Sequence, residues 1–271
     1  MTDLSGDGRA ARVKLRAMRA VIIGAGRGSR LAHETNEIPK TLVQVMGRPM
    51  LDWILDALGQ AGFARKDVVF VCGYAEHVIR ARYPDLTYVS NAGWERNNIL
   101  HSLLCAREHL SGGFLSTYAD IVYEGAVVQK LVESKENIVL GCDTEWRRRY
   151  VVRSQHPETD AEKMRASGSR VEEVSRTIPG ESAAGEFIGV MKLSPAGAGE
   201  FLATFDEVSA TQAGKVWRDG RVFEMSYLIK LLQHMLEHGS VMHRENTRGG
   251  YMEIDTLEDL ALAEEWWRGR P

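Results

Sequence analysis

Short apolar runs alternate along the first half of the chain with segments in which apolar residues recur at helical spacing. The runs are rich in β-branched residues, as buried strands are. They are residues 19–23, 67–72, 86–90, 114–118 and 138–142. Helical spacing covers residues 50–58, where Gly62 is the expected stop, and again residues 97–110. This β–α–β–α alternation predicts an α/β fold with a mostly parallel, Rossmann-like central sheet sandwiched by helices.

The pattern changes after the last of these runs. Residues 144–170 are highly charged and poor in aliphatic side chains, which is incompatible with core strands of a parallel sheet. We therefore predict an inserted β-ribbon or lid over a charged ligand, spanning about residues 144–185. Beyond it, the pattern predicts a strand at Gly185–Leu193 and amphipathic helices at 225–238 and 256–267.

Residues 19–271 contain no linker, repeat or low-complexity stretch, so we expect one domain there, preceded by a flexible N-terminal arm at residues 1–18. No apolar run approaches the roughly 18 residues that a membrane helix needs. The first twenty residues also lack the apolar core of a signal peptide. We therefore expect a cytoplasmic protein that does not act at a membrane.

Charge and cysteine content narrow the possible functions. The 271 residues include 34 Lys and Arg against 37 Asp and Glu, a net charge of -3, whereas proteins that grip nucleic acid through its phosphates are normally basic. Cys72, Cys105 and Cys142 lack the paired spacing of a zinc site or a disulfide framework. We expect buried, reduced thiols and no nucleic-acid partner.

A glycine-rich loop follows the first predicted strand. Its residues are Gly24, Ala25, Gly26, Arg27, Gly28 and Ser29. Glycines allow close backbone approach to a phosphate, and amides at a helix start bind anions. The third glycine is displaced from the dinucleotide-binding pattern, and no Gly-Lys-Ser/Thr follows as in a P-loop. Arg27 and Arg30, with Lys40 ten residues further along, favour a triphosphate ligand.

Several motifs together resemble a known family. VIIGAGRGSRL followed by IPKTLVQVMGRPMLDWIL resembles the N-terminal signature of nucleotidyltransferases that couple an NTP to a sugar phosphate or polar alcohol phosphate. YADIVYEG and YMEIDTLEDLALAE resemble that family's two acidic metal-binding motifs. NNILHSL, DTEWRRRYVVRSQHPETDAEKM and GEFIGVMKLS resemble the branch that activates phosphocholine or aminoethylphosphonate with CTP.

The resemblance implies a Mg²⁺-dependent cytidylyltransferase whose partners are CTP and a small phosphorylated or phosphonate acceptor, in a chain that could form a homodimer. Two alternatives stay open: a sugar-1-phosphate uridylyl- or guanylyltransferase, and a non-catalytic relative that binds a nucleotide. Pyrophosphate release measured with a panel of nucleoside triphosphates separates the first alternative from a cytidylyltransferase. A Rossmann oxidoreductase lacks support because the third glycine is displaced.

The resemblance also implies roles for particular residues. The catalytic cations are Arg30 and Lys40, and the metal ligands are Asp120 with Glu253 or Asp255. The nucleotide-binding residues are the glycine-rich loop with Asn97, Asn98 and Ser102. The acceptor-binding residues are Trp146, Arg153, Lys163 and Glu186.

Two of these assignments have local alternatives. Asn97 or Asn98 could cap the helix that follows rather than contact the base, and both roles are compatible. Asp259 is expected to form a capping box with Thr256. We therefore expect Asp259→Ala to cost about 1 kcal/mol of stability and to spare activity.

Overall fold

A computed structural model of the protein describes residues 18–268. The predicted N-terminal arm, apart from Met18, lies outside the described residues. The strands are β1 Arg19–Ile23, β2 Gln44–Val45, β3 Arg48–Pro49, β4 Val68–Cys72, β5 Thr87–Ser90, β6 Phe114–Tyr118, β7 Ile121–Tyr123, β8 Ile138–Asp143, β9 Lys163–Ser167, β10 Arg170–Ser175, β11 Gly185–Leu193, β12 His243–Thr247 and β13 Tyr251–Glu253. The helices are α1 Met50–Gln60, α2 Glu76–Arg82, α3 Ile99–Cys105, α4 Gly125–Glu133, α5 Arg147–Tyr150, α6 Pro195–Gln212, α7 Leu228–Glu237 and α8 Leu257–Trp267.

Alternate residues of β1 enter two different cores. Val21 and Ile23 pack with α3, α6 and α7 on one side of the sheet. Ala20 and Ile22 pack with α1, α2 and α4 on the other side. Since successive side chains of a strand point to opposite faces, a strand buried on both faces is apolar throughout. The continuous apolar run in the sequence therefore indicates helices on both faces of the sheet, as predicted.

Within residues 18–268, nine strands form one sheet in the order β5-β4-β1-β6-β11-β8-β12-β10-β9. The half β5-β4-β1-β6 is parallel throughout, as predicted. The other half is mixed, because β11 runs antiparallel to both β6 and β8, while β12 is parallel to β8. No long helical crossover links β8 to β11; the chain passes through the β9–β10 hairpin and returns in the opposite direction.

The inserted segment contains the predicted β-ribbon, but the ribbon belongs to the main sheet. β10 pairs with β12, and β9 pairs with both β10 and the start of β11. The residues before the ribbon fold onto a small apolar cluster of Trp146, Tyr150 and Ala161. The charged composition that argued against central strands thus belongs to strands at the sheet edge, where one side faces water.

The three cysteines differ in their exposure to solvent. Cys72 and Cys142 are buried free thiols as expected, but Cys105 is exposed, because it lies on the face of α3 away from Leu100 and Leu103. Across residues 18–268, no helix combines the length and apolarity required to cross a bilayer.

Candidate active site

The loop between β1 and the following 3-10 turn depends on two of its glycines. Gly28 has a left-handed backbone (φ 73°), and a Cβ there would lie 2.5 Å from the Cδ atom of Lys40. A Cβ on Gly24 would lie 2.5 Å from the ring of Phe70. Other residues are therefore strained at position 28 and obstructed at position 24. Gly26 meets nothing within 4 Å and faces open space.

A cleft of about 300 Å³ opens at the carboxyl ends of β1 and β6, where open α/β sheets bind ligands. This cleft is lined by most of the residues that the sequence predicts as nucleotide-binding residues, catalytic cations or metal ligands. These are Gly24, Ala25, Gly26, Gly28, Ser29, Arg30, Lys40, Asn97, Asn98, Ser102, Asp120 and Asp255. The other lining residues are Ile23, Thr41, Trp94, Ile99 and Ala119.

Lys40 and Arg30 converge on one carboxylate. Lys40 Nζ lies 2.8 Å from Asp120 Oδ2 and also donates to Asp255 Oδ1. The other oxygen of Asp255 accepts from Arg30 Nη2 at 2.5 Å. Burial alone would lower the pKa of Lys40, but the charges of Asp120 and Asp255 outweigh it and raise that pKa above its ordinary value. Lys40 is therefore a cation throughout the neutral range.

The acidic side of the cleft is crowded with carboxylates. β13 pairs with β7, and Ile254 N donates to Asp120 O, so Glu253 and Asp255 follow Asp120 closely in space. Burial raises the pKa of Asp255, yet Lys40 and Arg30 lower it to about 2. Burial, then the charges of Asp255 and Asp120, raise the pKa of Glu253 well above its usual range. Negative charge at Glu253 is thus poorly compensated.

A divalent cation suits this group of oxygens. Asp120 Oδ1 is buried and has no hydrogen-bond partner among the described residues. Carboxylate oxygens are the hard ligands that Mg²⁺ takes in proteins. The residues present therefore fit a metal held by Asp120 with Glu253 or Asp255, and such an ion would supply the missing positive charge.

The two asparagines at the start of α3 have different hydrogen-bond partners. Asn98 caps the helix, accepting from Ile99 N at 2.8 Å, which is the alternative we left open. Asn97 exchanges two hydrogen bonds, 2.8 and 2.9 Å, with Asn91, which also donates to Ser102 Oγ at 3.0 Å. Asn91 is buried behind the cleft wall and was missed. Its place directly after β5, at the carboxyl edge of the sheet, was the signal that could have found it.

Arg27 is directed away from the cleft, contrary to the prediction that it binds nucleotide. Its guanidinium donates to Asn36 Oδ1 at 3.1 Å and lies 5.5 Å from the centre of the Tyr74 ring. In an extended or turning loop, neighbouring side chains point in different directions. The two arginines of this segment therefore do not both face the cleft in this structure, and Arg30 is the one that lines it.

We expect Arg27→Ala to leave kcat/KM of nucleotidyl transfer within about threefold of wild type, because it removes one exposed hydrogen bond and an exposed ring contact. Arg30→Ala should lower it by about a hundredfold, the usual cost of one charged donor aimed at developing charge. Steady-state kinetics on the two variants measure the contrast. Equal losses would restore Arg27 to the nucleotide site.

Two of the predicted acceptor-binding residues are engaged in buried ion pairs. Arg153 Nε lies 2.7 Å from Asp259 Oδ1, and both side chains are almost completely buried. Glu186 pairs with Arg149 and accepts from the hydroxyl of Tyr150 at 2.6 Å. Neither lines the cleft, so the predicted contact of these two side chains with the acceptor is not seen in this structure. Their charges are neutralised within the protein.

The other two acceptor candidates are also covered. Trp146 is 2% exposed and packs on Tyr150. Lys163 is buried, donates to Glu158 O at 3.2 Å, and lies 5.9 Å from the centre of the Trp146 ring. Burial lowers the pKa of Lys163. Neither residue reaches the cleft in this conformation, so their expected contact with the acceptor is not what the structure shows.

Sequence reasoning missed two buried residues beneath the acidic group. Arg149 is enclosed between Asp143 and Glu186 and pairs with both. His156 lies between Asp259 and Glu253. Both belong to the charged stretch for which the sequence predicts a β-ribbon or lid, and most of their partners are distant in sequence. An RRR run gives no indication of which arginine is buried.

Comparisons with known proteins agree with this geometry. The family described as MobA-like NTP transferase domain matches residues 20–176, more than half of the chain. A CTP:phosphoglutamine cytidylyltransferase of Campylobacter jejuni is 26% identical over 255 residues, which cover 90% of this chain and 98% of that protein. A CMP-5'-(3-aminopropyl)phosphonate synthase of Streptomyces rubellomurinus is 35% identical over 125 residues, 44% of this chain and 20% of that one.

The fold is shared with a solved structure. A CTP:phosphocholine cytidylyltransferase from Streptococcus pneumoniae superposes with a TM-score of 0.68 at 20% identity, covering 92% of this chain and 98% of that chain. This confirms the predicted α/β nucleotidyltransferase fold. With the family match, the glycine-rich loop and the paired cations, it identifies the chain as a nucleotidyltransferase of the MobA-like NTP transferase family.

Proposed function

We propose that this enzyme transfers a cytidylyl group from CTP to a small acceptor that carries a phosphate or phosphonate, and releases pyrophosphate. The observation that carries the proposal is the arrangement of one cleft. The glycine-rich loop, Arg30 and Lys40 line the same cavity as Asp120 and Asp255, so anion-binding and metal-binding groups face each other. Relatives named for CTP and for phosphorylated or phosphonate acceptors support the choice of nucleotide and acceptor.

The triphosphate is proposed to lie against the glycine-rich loop. Backbone amides of the loop would donate to phosphate oxygens, and Gly26 leaves the approach open. Arg30 and Lys40 are held by Asp255 in the structure described here. A phosphate can replace that carboxylate as their partner, so the cations are already positioned and need little rearrangement to bind.

The base is proposed to lie against the start of α3. Asn97 and Ser102 line the cleft, and both are held by buried Asn91. An amide offers a donor and an acceptor on one plane, which suits the mixed donor and acceptor edge of cytosine. Asn91 also fixes the orientation of the Asn97 amide. In that orientation the amide would match uracil less well, because the edge of uracil has a different donor pattern.

The metal is proposed to be Mg²⁺, held by Asp120 with Glu253 or Asp255, whose oxygens suit it. When bound, Mg²⁺ neutralises charge on the phosphate oxygens and on the leaving group. Lys40 contributes a fixed positive charge between the two sides of the cleft, because its raised pKa keeps it protonated. Asp120 holds the Lys40 ammonium in place from one side.

The reaction needs positioning more than proton transfer. An acceptor phosphate or phosphonate oxygen is already ionised near neutral pH and attacks the α-phosphorus in line. A bond forms between that oxygen and phosphorus, and the bond from phosphorus to the β-phosphate bridging oxygen breaks. The main barrier is repulsion between two anions, which Lys40 and Arg30 reduce. The reaction therefore requires no covalent intermediate between the nucleotide and the protein.

The proposal is tested by measuring pyrophosphate release from CTP, UTP, GTP and ATP. Each is paired with phosphocholine, 2-aminoethylphosphonate, phosphoglutamine and glucose 1-phosphate. We expect CTP to be preferred, with one of the first three acceptors. Turnover only with UTP or GTP and the sugar phosphate would replace this proposal with the sugar-nucleotide alternative. CTP binding without any pyrophosphate release would indicate a non-catalytic relative.

Replacing Asp120 with Asn tests the proposed metal site. The change keeps the size of the side chain but removes a charge that faces both the metal position and Lys40. We expect kcat to fall by about a hundredfold or more and the Mg²⁺ concentration for half-maximal rate to rise. Asp206→Asn is the control, since Asp206 pairs with Arg107 on the surface outside the cleft. Wild-type turnover of Asp120→Asn at limiting Mg²⁺ would contradict the assignment.

A further inference from the structure

One buried imidazole lies against the acidic side of the cleft. His156 belongs to the segment between α5 and β9 and is 2% exposed. Its Nδ1 lies 3.3 Å from Asp259 Oδ2. Its Nε2 lies 3.6 Å from Glu253 Oε2, which is too far for a good hydrogen bond.

The Asp259 carboxylate lies on the Nδ1 side of the imidazole. Its Oδ2 accepts hydrogen bonds from the backbone amides of Asp255 and Thr256 and from the Thr256 hydroxyl, and its Oδ1 forms an ion pair with Arg153. The other ring nitrogen, Nε2, faces Glu253 and is the atom that a metal beside that carboxylate would meet. A carboxylate behind the imidazole is also the usual arrangement behind a metal-bound histidine.

Three side chains bring ligand atoms to one point. One atom each from His156, Glu253 and Asp255 lies within 4.8 Å of the others. We propose that His156 is a nitrogen ligand of the metal, together with these two carboxylates. The inference rests on the metal-dependent transfer proposed above. It revises one part of that proposal, the identity of the ion. One imidazole with two carboxylates favours Mn²⁺ or Co²⁺, whereas Mg²⁺ suits the all-oxygen set of Asp120 with Glu253 or Asp255.

Asp255 becomes available to the metal when nucleotide binds. Its two oxygens face Lys40 and Arg30 in the structure described here. A triphosphate that takes over these cations leaves the carboxylate without its partners, next to Glu253 and His156. The negative charge of the triphosphate then neutralises Lys40 and Arg30, and the positive charge of the metal ion neutralises the carboxylates.

The test uses the full chain with Mn²⁺ and inorganic triphosphate, observed by pulsed electron paramagnetic resonance. The triphosphate occupies Lys40 and Arg30 in place of Asp255 and contributes no nitrogen of its own. A coordinated imidazole gives a ¹⁴N modulation that an all-oxygen site lacks. His234, Glu237 and His238 form another group with ligand atoms within 4.8 Å. The measurement is therefore made in a His234→Gln/His238→Gln background, so that nitrogen at that surface group does not contribute.

We expect one nitrogen modulation in the background protein and its loss on adding His156→Gln. The ratio of Mn²⁺ to Mg²⁺ affinity should fall by about tenfold or more, since only the softer ion gains from nitrogen. An urea unfolding curve on each variant shows whether the site is folded. Loss of stability with an unchanged affinity ratio would make His156 a positioning residue for Glu253 and Asp259, and would overturn the inference.

Two further results separate this inference from the proposed function. If Mn²⁺ binds without nitrogen modulation, or the modulation persists in the His156→Gln variant, the ligand assignment fails while the transfer reaction is untouched. If Mn²⁺ shows the nitrogen ligand but CTP is never turned over with any acceptor, the proposed reaction fails while the metal site stands. Absence of any Mn²⁺ binding would count against both.

Discussion

Replacing Lys40 with methionine is expected to lower kcat/KM about a thousandfold, roughly 4 kcal/mol of transition-state stabilisation. Methionine preserves the apolar stem that packs against Gly28 and removes only the charge. The ammonium is shared by Asp120 and Asp255 and is the group proposed to face the phosphates, so its loss would leave these carboxylates facing an anionic substrate. Steady-state pyrophosphate release measures the effect.

Lys66→Met is the matched control, because Lys66 is exposed and outside the cleft, and it should retain wild-type kinetics. Lys40→Arg is not expected to restore activity, since the stem at position 40 is confined by Gly28 and a guanidinium is larger. A Lys40→Met variant with a normal rate would show that the buried ion pair serves folding alone.

Asp259→Ala is expected to destabilise the protein by about 3–5 kcal/mol, several times the loss of about 1 kcal/mol expected for a helix cap. The structure confirms the predicted capping box with Thr256. It also shows that the same carboxylate is fully buried against Arg153 and His156. Removing it leaves the buried Arg153 charge without its ion-pair partner. Urea unfolding at neutral pH measures the loss.

Two variants separate the cap from the ion pair. Thr256→Val removes the capping hydroxyl and keeps Asp259, so it should cost only about 1 kcal/mol. Adding Arg153→Met to Asp259→Ala should recover part of the loss, because the uncompensated charge is removed as well. Equal costs for Thr256→Val and Asp259→Ala would mean that the ion pair contributes nothing.

Activity should fall in Asp259→Ala, contrary to the expectation from sequence. Asp259 Oδ2 accepts from Asp255 N at 3.0 Å and orients His156. The substitution therefore loosens two side chains on the acidic side of the cleft, and catalytic geometry tolerates little displacement. A stable variant with full turnover at saturating Mg²⁺ would leave Asp259 with a purely structural role.

The predictable part of the site consists of residues whose roles are indicated by their immediate sequence neighbours. The glycine-rich loop, Arg30 and Lys40 lie within seventeen residues of one another, and each type has a direct chemical reason to face a phosphate. Asp120, which lines the cleft, could be predicted because it follows an apolar strand at the edge of the sheet where ligands bind. These inferences need only one strand and one turn.

The supporting layer could not be predicted because its members meet only in the folded chain. Arg153 and Asp259 are separated by more than a hundred residues, and neither sequence neighbourhood indicates that its charge is buried. Likewise, β11 is buried at all nine positions, so it has no alternation from which to infer a face or direction. Hydrophobic pattern predicts that a strand exists, but pairing direction depends on the route of the intervening chain.

The central position of β11 has a consequence for how the protein is made. β6 is complete at Tyr118, but its second hydrogen-bonding edge is covered only when Gly185–Leu193 has been synthesised and docked. Until then the parallel half carries an open edge of apolar residues, a surface that pairs readily with another chain. We therefore expect folding to be slow, because the edge of β6 is covered only by non-local pairing. Refolding at low protein concentration should give higher yields than at high concentration, because intermolecular strand pairing competes with β11 for the edge of β6.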